Sequence, residues 1–94
     1  MNEDGFEWDD AKAIINLKKH KISFDTARHV FTDPDLFVAF DSGPYGEQRF
    51  QAIGIVNAVL ISVFYTERGD NIRIISARKA TKHEQRTYYQ GQKA

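Results

Sequence analysis

Cysteine is absent from the 94 residues. That excludes disulfide staples, thiolate nucleophiles and zinc–thiolate sites, and it suits a reducing cytoplasm. No apolar run approaches the ~18 residues of a membrane span, and no charged-then-apolar leader opens the chain, so no membrane association is expected. The histidines His20, His29 and His83 are scattered, without His-x-x-x-His spacing. Gly-rich phosphate loops and Gly-x-Ser-x-Gly elbows are also missing. No metal and no cofactor are expected. Net charge is lacking too, with 13 Lys/Arg against 13 Asp/Glu.

What is there fits one domain spanning 1–94, with 41% hydrophobic and 28% charged residues and no linker or internal repeat. The charge balance hides a segregation. Residues 1–67 carry 6 Lys/Arg against 11 Asp/Glu, and residues 68–94 carry 7 against 2. A basic final third on a neutral chain points to one anion-attracting region; segregation of solvated faces is the blander explanation.

The chain is organised around Val59–Tyr89, two strand-like runs and a tight turn followed by a short helix. Two runs rich in β-branched and aromatic residues, Val59–Arg68 and Ile72–Ala80, flank Gly69-Asp70-Asn71, which predicts a β-hairpin. With a three-residue loop, Ser62 lies near Arg78 and Arg68 near Ile72. The two arginines then share a face about 20 Å apart, too far for one phosphate but suited to two places along a polyanion. A two-residue loop would put them on opposite faces.

Before the hairpin, Phe6-Glu7-Trp8 reads as an edge strand and Asp9 as an N-cap. Trp8, Ala11, Ile14, Ile15 and Lys18 fall at helical spacing, predicting an amphipathic helix over 10–19. Ser23 caps a second helix over 24–31, with Phe24, Ala27, Val30 and Phe31 as its buried stripe and Asp33-Pro34 as its stop. Leu36–Phe40 reads as a strand covered on both sides, and Gln48–Ile55 as another after the loop 41–46. Thr81-Lys82-His83-Glu84 matches a capping box opening a last helix over 82–90, beyond which the tail is expected to fray. The architecture predicted is α+β: two N-terminal helices, a four-stranded antiparallel meander and a C-terminal helix.

The candidate chemistry is directed at polyanions. Arg68, Arg73, Arg78, Lys79, Lys82 and Arg86 are interleaved with Tyr65, Tyr88 and Tyr89; arginine forks suit phosphate, and aromatic faces stack unpaired bases. RNA cleaves itself when a base takes the 2′-OH proton, cations hold the extra charge and an acid protonates the leaving 5′-oxygen. Arginine or lysine suits the charge-stabilising part, and His20, Glu84, Tyr88 or Lys12 suit proton transfer. Each has a bland alternative. Glu84 is a helix cap, Arg73 is solvated or paired, Tyr88 hydrogen-bonds Glu84, Trp8 is core, and His20 neutralises a helix end. Arg78, at the junction of the last strand and last helix, is the least bland.

Several strings together carry a family likeness. Phe6-Glu7-Trp8-Asp9, Lys12, Asn16, Lys19-His20, Ser23-Phe24, Val30-Phe31 and Asp33-Pro34 resemble the opening of the BrnT toxin family. Glu47, Arg49-Phe50 and Ile53-Gly54 resemble its middle. Tyr65-Thr66-Glu67-Arg68, Arg73-Ile74-Ile75-Ser76-Ala77-Arg78, Ala80, Glu84 and Tyr88 resemble its closing signature. The resemblance implies a RelE-like fold and a metal-independent endoribonuclease toxin of a type II toxin–antitoxin pair in the bacterial cytoplasm. It also implies a BrnA-like antitoxin, bound in a hetero-oligomer, through which alone operator DNA is touched and the operon repressed. The chain departs from the family at Lys21, where glycine is usual; in a left-handed turn lysine costs about 1 kcal/mol.

On that basis Arg78 is expected to stabilise the phosphorane-like transition state and Arg68 to position the RNA backbone. Lys12 and His20 are candidates for proton transfer or substrate contact, and Glu84 and Tyr88 would complete the rim. The rival reading is a non-catalytic module that docks an antitoxin or nucleic acid. Arg78 locked inward against a carboxylate, with no cleft beside it, would undo the enzyme reading and leave a docking domain.

Overall fold

The high β-propensity of the central hairpin makes β5 (Val59–Arg68) and β6 (Asn71–Lys79) the two longest strands. The computed structural model describes residues 2–91, so the expected fraying beyond Gly91 lies outside the described residues. Ahead of the hairpin come β1 (Asn2–Glu3), β2 (Phe6–Glu7), α1 (Asp10–His20), α2 (Phe24–Ala27), a 3₁₀ turn (Arg28–Thr32), β3 (Phe37–Asp41) and β4 (Arg49–Val56); α3 (Lys82–Gln90) follows it. The α+β class is as predicted.

The meander β3–β6 is present, but the sheet is wider than four strands. Its order is β1-β2-β6-β5-β4-β3. Phe6-Glu7 pairs in parallel with Ile72-Arg73, and β1 folds back antiparallel onto β2. Two-residue strands carry too little periodicity to be legible beyond the apolar string Phe6-Glu7-Trp8.

Hairpin register decides which side chains meet. Arg68 pairs with Asn71, leaving the two-residue loop Gly69-Asp70, yet Ser62 pairs with Arg78 as a three-residue loop would require. The discrepancy is absorbed at Ile75, an extra residue between the pairs Phe64–Ser76 and Tyr65–Ile74. This β-bulge keeps Arg68 and Arg78 on one face despite the short loop, and it brings Arg73 onto that face opposite Thr66.

The core lies on the other face of the sheet. Phe24, Ala27 and Val30 are buried against Ala52, Val56, Ile61, Val63, Tyr65, Ile74 and Ala77, with Trp8 and Ile22 closing the end. The second helix therefore buries its predicted stripe, but it changes character after Ala27. Pro34 holds Asp33 extended (φ −72°, ψ 119°), and the turn before it tightens to 3₁₀. The 3₁₀ segment lies so close to β4 that a Cβ on Gly54 would stand 3.0 Å from the Val30 carbonyl oxygen.

Two expectations fail at the edges. β3 is not covered on both sides: it is the outermost strand and leaves Val38 and Phe40 exposed. In α1, the stripe Ala11, Ile14, Ile15 and Lys18 faces solvent, whereas Ala13, Asn16 and His20 face the sheet. Asn16 is the reason. Its amide donates to the carbonyls of Ala77 and Ile22 (2.9 and 3.0 Å) and accepts from the Ala77 N–H (3.1 Å). One side chain thus takes the place of a neighbouring strand at the edge of β6 and fixes which way the helix turns.

The last helix begins with the predicted capping box: Thr81 Oγ1 accepts from the Glu84 N–H and Glu84 Oε1 from the Thr81 N–H. It covers one corner of the opposite sheet face, where Tyr88 packs with Ile53, Ala80, Phe37 and Leu60. The rest of that face is open.

Candidate nucleic-acid interface and active site

Cross-strand pairing places Arg68, Arg73 and Arg78 on the open face of β5–β6, together with Phe64 and Ser76. At about 3.3 Å per residue the three arginines span roughly 20 Å, with Arg73 about 7 Å from the Arg68 end. This is the linear spacing of an extended anion rather than the cage of a single phosphate. Arg49 joins the same face from β4, opposite Asp41, with its guanidinium 3.9 Å from the centre of the Tyr45 ring.

Arg78 is held by a carboxylate. Its Nη1 and Nη2 donate to Glu84 Oε1 and Oε2 at 2.7 and 2.9 Å, and Nη1 also reaches the Lys79 carbonyl at 3.3 Å. Three of the five guanidinium N–H groups are thereby engaged, and the side chain stays 31% exposed, with its carbon 5.3 Å from the Phe64 ring centre. Glu84 also accepts 2.6 Å from the Gln51 amide, which in turn reaches Ser62 Oγ at 2.7 Å. Burial alone would raise the Glu84 carboxyl; the Arg78 fork, the Thr81 N–H and the Gln51 amide outweigh it and hold the carboxyl down at about 2. A carboxylate so stabilised is a poor proton acceptor near neutrality, so this environment suits Glu84 to orienting Arg78 rather than to moving protons.

Beside this face, α1 and β6 enclose a cleft of about 200 Å³ lined by Lys12, Ile15, Asn16, Lys19, His20, Ile75 and Ser76. The bulge puts Ile75 into the cleft, and Ser76 lies two residues, about 7 Å, from Arg78 on the same face of β6. Lys12 and His20 therefore line one cleft, about 12 Å apart along α1, and the cleft opens next to the arginine row. The left-handed turn feared at Lys21 is real (φ 61°, ψ 27°), and it ends α1 directly after His20, with the Lys21 N–H on the Leu17 carbonyl at 2.9 Å.

Other expected members fall elsewhere. Tyr88 is not at a rim: it is 2% exposed, and its hydroxyl donates to Asp33 Oδ2 at 2.6 Å rather than to Glu84. Asp33 also accepts from the Ile55 and Asp35 N–H groups. Burial pushes its carboxyl up, but these three donors win and hold it below its usual range. Tyr65 is core, stacked on Phe50 and edge-on to Phe31, with burial foremost and then Glu67 raising its phenol. Lys82, Arg86 and Tyr89 line a separate hollow on the outer side of α3. Arg73 pairs with Glu7 at 2.8 Å, the bland reading, and Arg68 has no ion-pair partner among the described residues.

Sequence reasoning missed Gln51 and Ser76. Gln51 carried no local signal, because its partner Glu84 is 33 residues away. Among the described residues no three His, Cys, Asp or Glu side chains gather as metal ligands, and no helix is long and apolar enough to cross a membrane.

Residues 8–84 match the family model described as the ribonuclease toxin BrnT of a type II toxin–antitoxin system. The chain belongs to the BrnT family. No curated protein matches it. Family membership identifies a ribonuclease toxin and implies an antitoxin partner. The match takes in Lys12, His20, Arg68, Arg78 and Glu84 and stops short of Tyr88.

Proposed function

We propose that this BrnT chain is a metal-independent endoribonuclease whose RNA lies along the open face of β5–β6. The 2′-oxygen attacks the adjacent phosphorus, its proton passes to a base, and the P–O5′ bond breaks as an acid protonates the 5′-oxygen. The products are a 2′,3′-cyclic phosphate and a 5′-hydroxyl. Arg68 holds the backbone, and Arg78, oriented by Glu84, offers its two remaining N–H donors to the developing charge. Lys12 and His20 reach the reacting atoms from the α1 cleft, and imidazole is the side chain suited to exchanging protons near neutrality. The observation that carries this reading is the cleft holding Lys12, Lys19 and His20 beside a row of three arginines on one face of the sheet. The physiological partner is a BrnA-like antitoxin with which the toxin represses its operon, and the α+β architecture is read as RelE-like.

One observation favours the rival docking module: the Arg78 fork is closed on Glu84, and Arg78 is not among the residues lining the α1 cleft. The two readings separate in one assay. Purified protein is incubated in EDTA with an oligoribonucleotide, free and on translating ribosomes, beside a copy lacking the scissile 2′-OH. The nuclease reading expects a cyclic-phosphate end, no cleavage of the 2′-deoxy copy, and a rate at least a hundredfold lower for Arg78→Ala. A salt-sensitive mobility shift with intact RNA in both settings would establish the docking module instead.

A further inference from the structure

We propose that the outward face of α1 is where the antitoxin docks, and that docking there neutralises the toxin by closing the Lys12–His20 cleft. This rests on the toxin–antitoxin reading above and goes beyond it by naming the surface and the chemistry of what covers it.

The helix is oriented against hydrophobic expectation. Ala11, Ile14, Ile15 and Lys18 stand at i, i+3, i+4 and i+7, the spacing of a buried stripe, yet Ile14 and Ile15 are 57% and 63% exposed and Leu17 on the flank is 48% exposed. The polar hydrogen bonds of Asn16 hold the opposite face to β6, so α1 cannot turn its isoleucines inward without breaking them. Large side chains left out at helical spacing on an anchored helix form a ready-made seat for another apolar element.

Charge defines the occupant. Lys12, Lys18, Lys19 and Lys21 surround the isoleucines, and none of them makes an ion pair among the described residues. The complementary partner is a segment with apolar residues at i, i+3/i+4 spacing flanked by Asp and Glu, which steers association to this site and rejects basic surfaces. The type II partnership makes the antitoxin that occupant. Ile15 gives the consequence for activity: it belongs both to the outward face and to the cleft wall with Lys12, Lys19 and His20. An element resting on Ile14 and Ile15 therefore lies over the cleft mouth, and its carboxylates compete with RNA phosphate for Lys12 and Lys19.

The test uses the full chain and the antitoxin encoded in its operon, with binding measured by calorimetry and RNA cleavage measured separately. Ile14→Asp with Lys18→Glu alters the outward face while leaving every cleft residue in place. Antitoxin affinity is expected to fall at least a hundredfold, with cleavage and thermal unfolding unchanged, so that co-expressed antitoxin no longer rescues growth. Val38→Asp with Phe40→Asp, on the far edge of the sheet, should leave the affinity as it was. The inference is overturned if the α1 variant binds within twofold of the native chain or if the β3 variant is the one that loses binding. A native chain that is dimeric by sedimentation and made monomeric by the α1 variant would assign the face to a second copy. A native chain that cleaves RNA but ignores the antitoxin would overturn the docking surface and the partnership together, while native binding with an unaffected variant overturns only the surface.

Discussion

The two faces of the sheet are built from opposite materials. One is sealed: Phe24, Ala27 and Val30 of α2 and the 3₁₀ turn press on Val63, Ala77 and Ile74, and nothing charged intervenes. The other is open along β5 and β6, with arginines, Ser76 and a half-exposed Phe64, and a chain of polar contacts from Ser62 through Gln51 and Glu84 to Arg78. In a domain this small the apolar face supplies most of the stability, so the polar face is free to carry a charge pattern that adds little to folding. Stability and recognition are divided by a single layer of backbone.

Substitutions on the two sides should therefore differ in kind. Phe24→Ala on the sealed side removes a fully buried ring and should cost about 3–5 kcal/mol, read as a large drop in the urea midpoint with RNA affinity lost only through unfolding. On the open side the pH-dependent part of the stability comes from Glu84. Its carboxyl is depressed from 4.5 to about 2, so the stabilisation is complete above pH 4.5 and disappears as pH falls towards 2. Allowing for solvent screening, the loss across that window should be about 1–2 kcal/mol, and Glu84→Gln should flatten it in acid titrations followed by circular dichroism. Arg68→Ala should leave the melting temperature where it is, weaken RNA binding about tenfold, and lower the salt slope of log K by about one. Smallest is Lys21→Gly, which relieves the left-handed turn after His20 and should stabilise by about 1 kcal/mol, visible as a rise of a few degrees in Tm.

Local chemistry was readable from the sequence where a local pattern dictated it. The Thr81/Glu84 capping box, the Asp9 and Ser23 caps and the stripe of α2 needed only their own neighbours. The α1 stripe had the right period but the wrong direction, because the deciding contact was a polar residue, Asn16, bonded to a backbone 61 residues away. The partnership of Tyr88 with Asp33 spans 55 residues and was invisible for the same reason. At the candidate site the sequence leaves both loop lengths open; the loop is the two-residue one, and the bulge that nonetheless keeps Arg68 and Arg78 on one face carries no Gly or Pro mark in Ile74-Ile75-Ser76.

That bulge works as a phase corrector. If Ile75 instead paired regularly with Phe64, every later side chain of β6 would swing through half a turn, sending the Arg78 guanidinium beneath the helices and the Ala77 methyl into water. Asn16 would then meet the wrong peptide, and α1 would lose its mooring. One surplus residue thus keeps the halves of the strand in step, binding the aim of an arginine to the seating of a helix on the far edge.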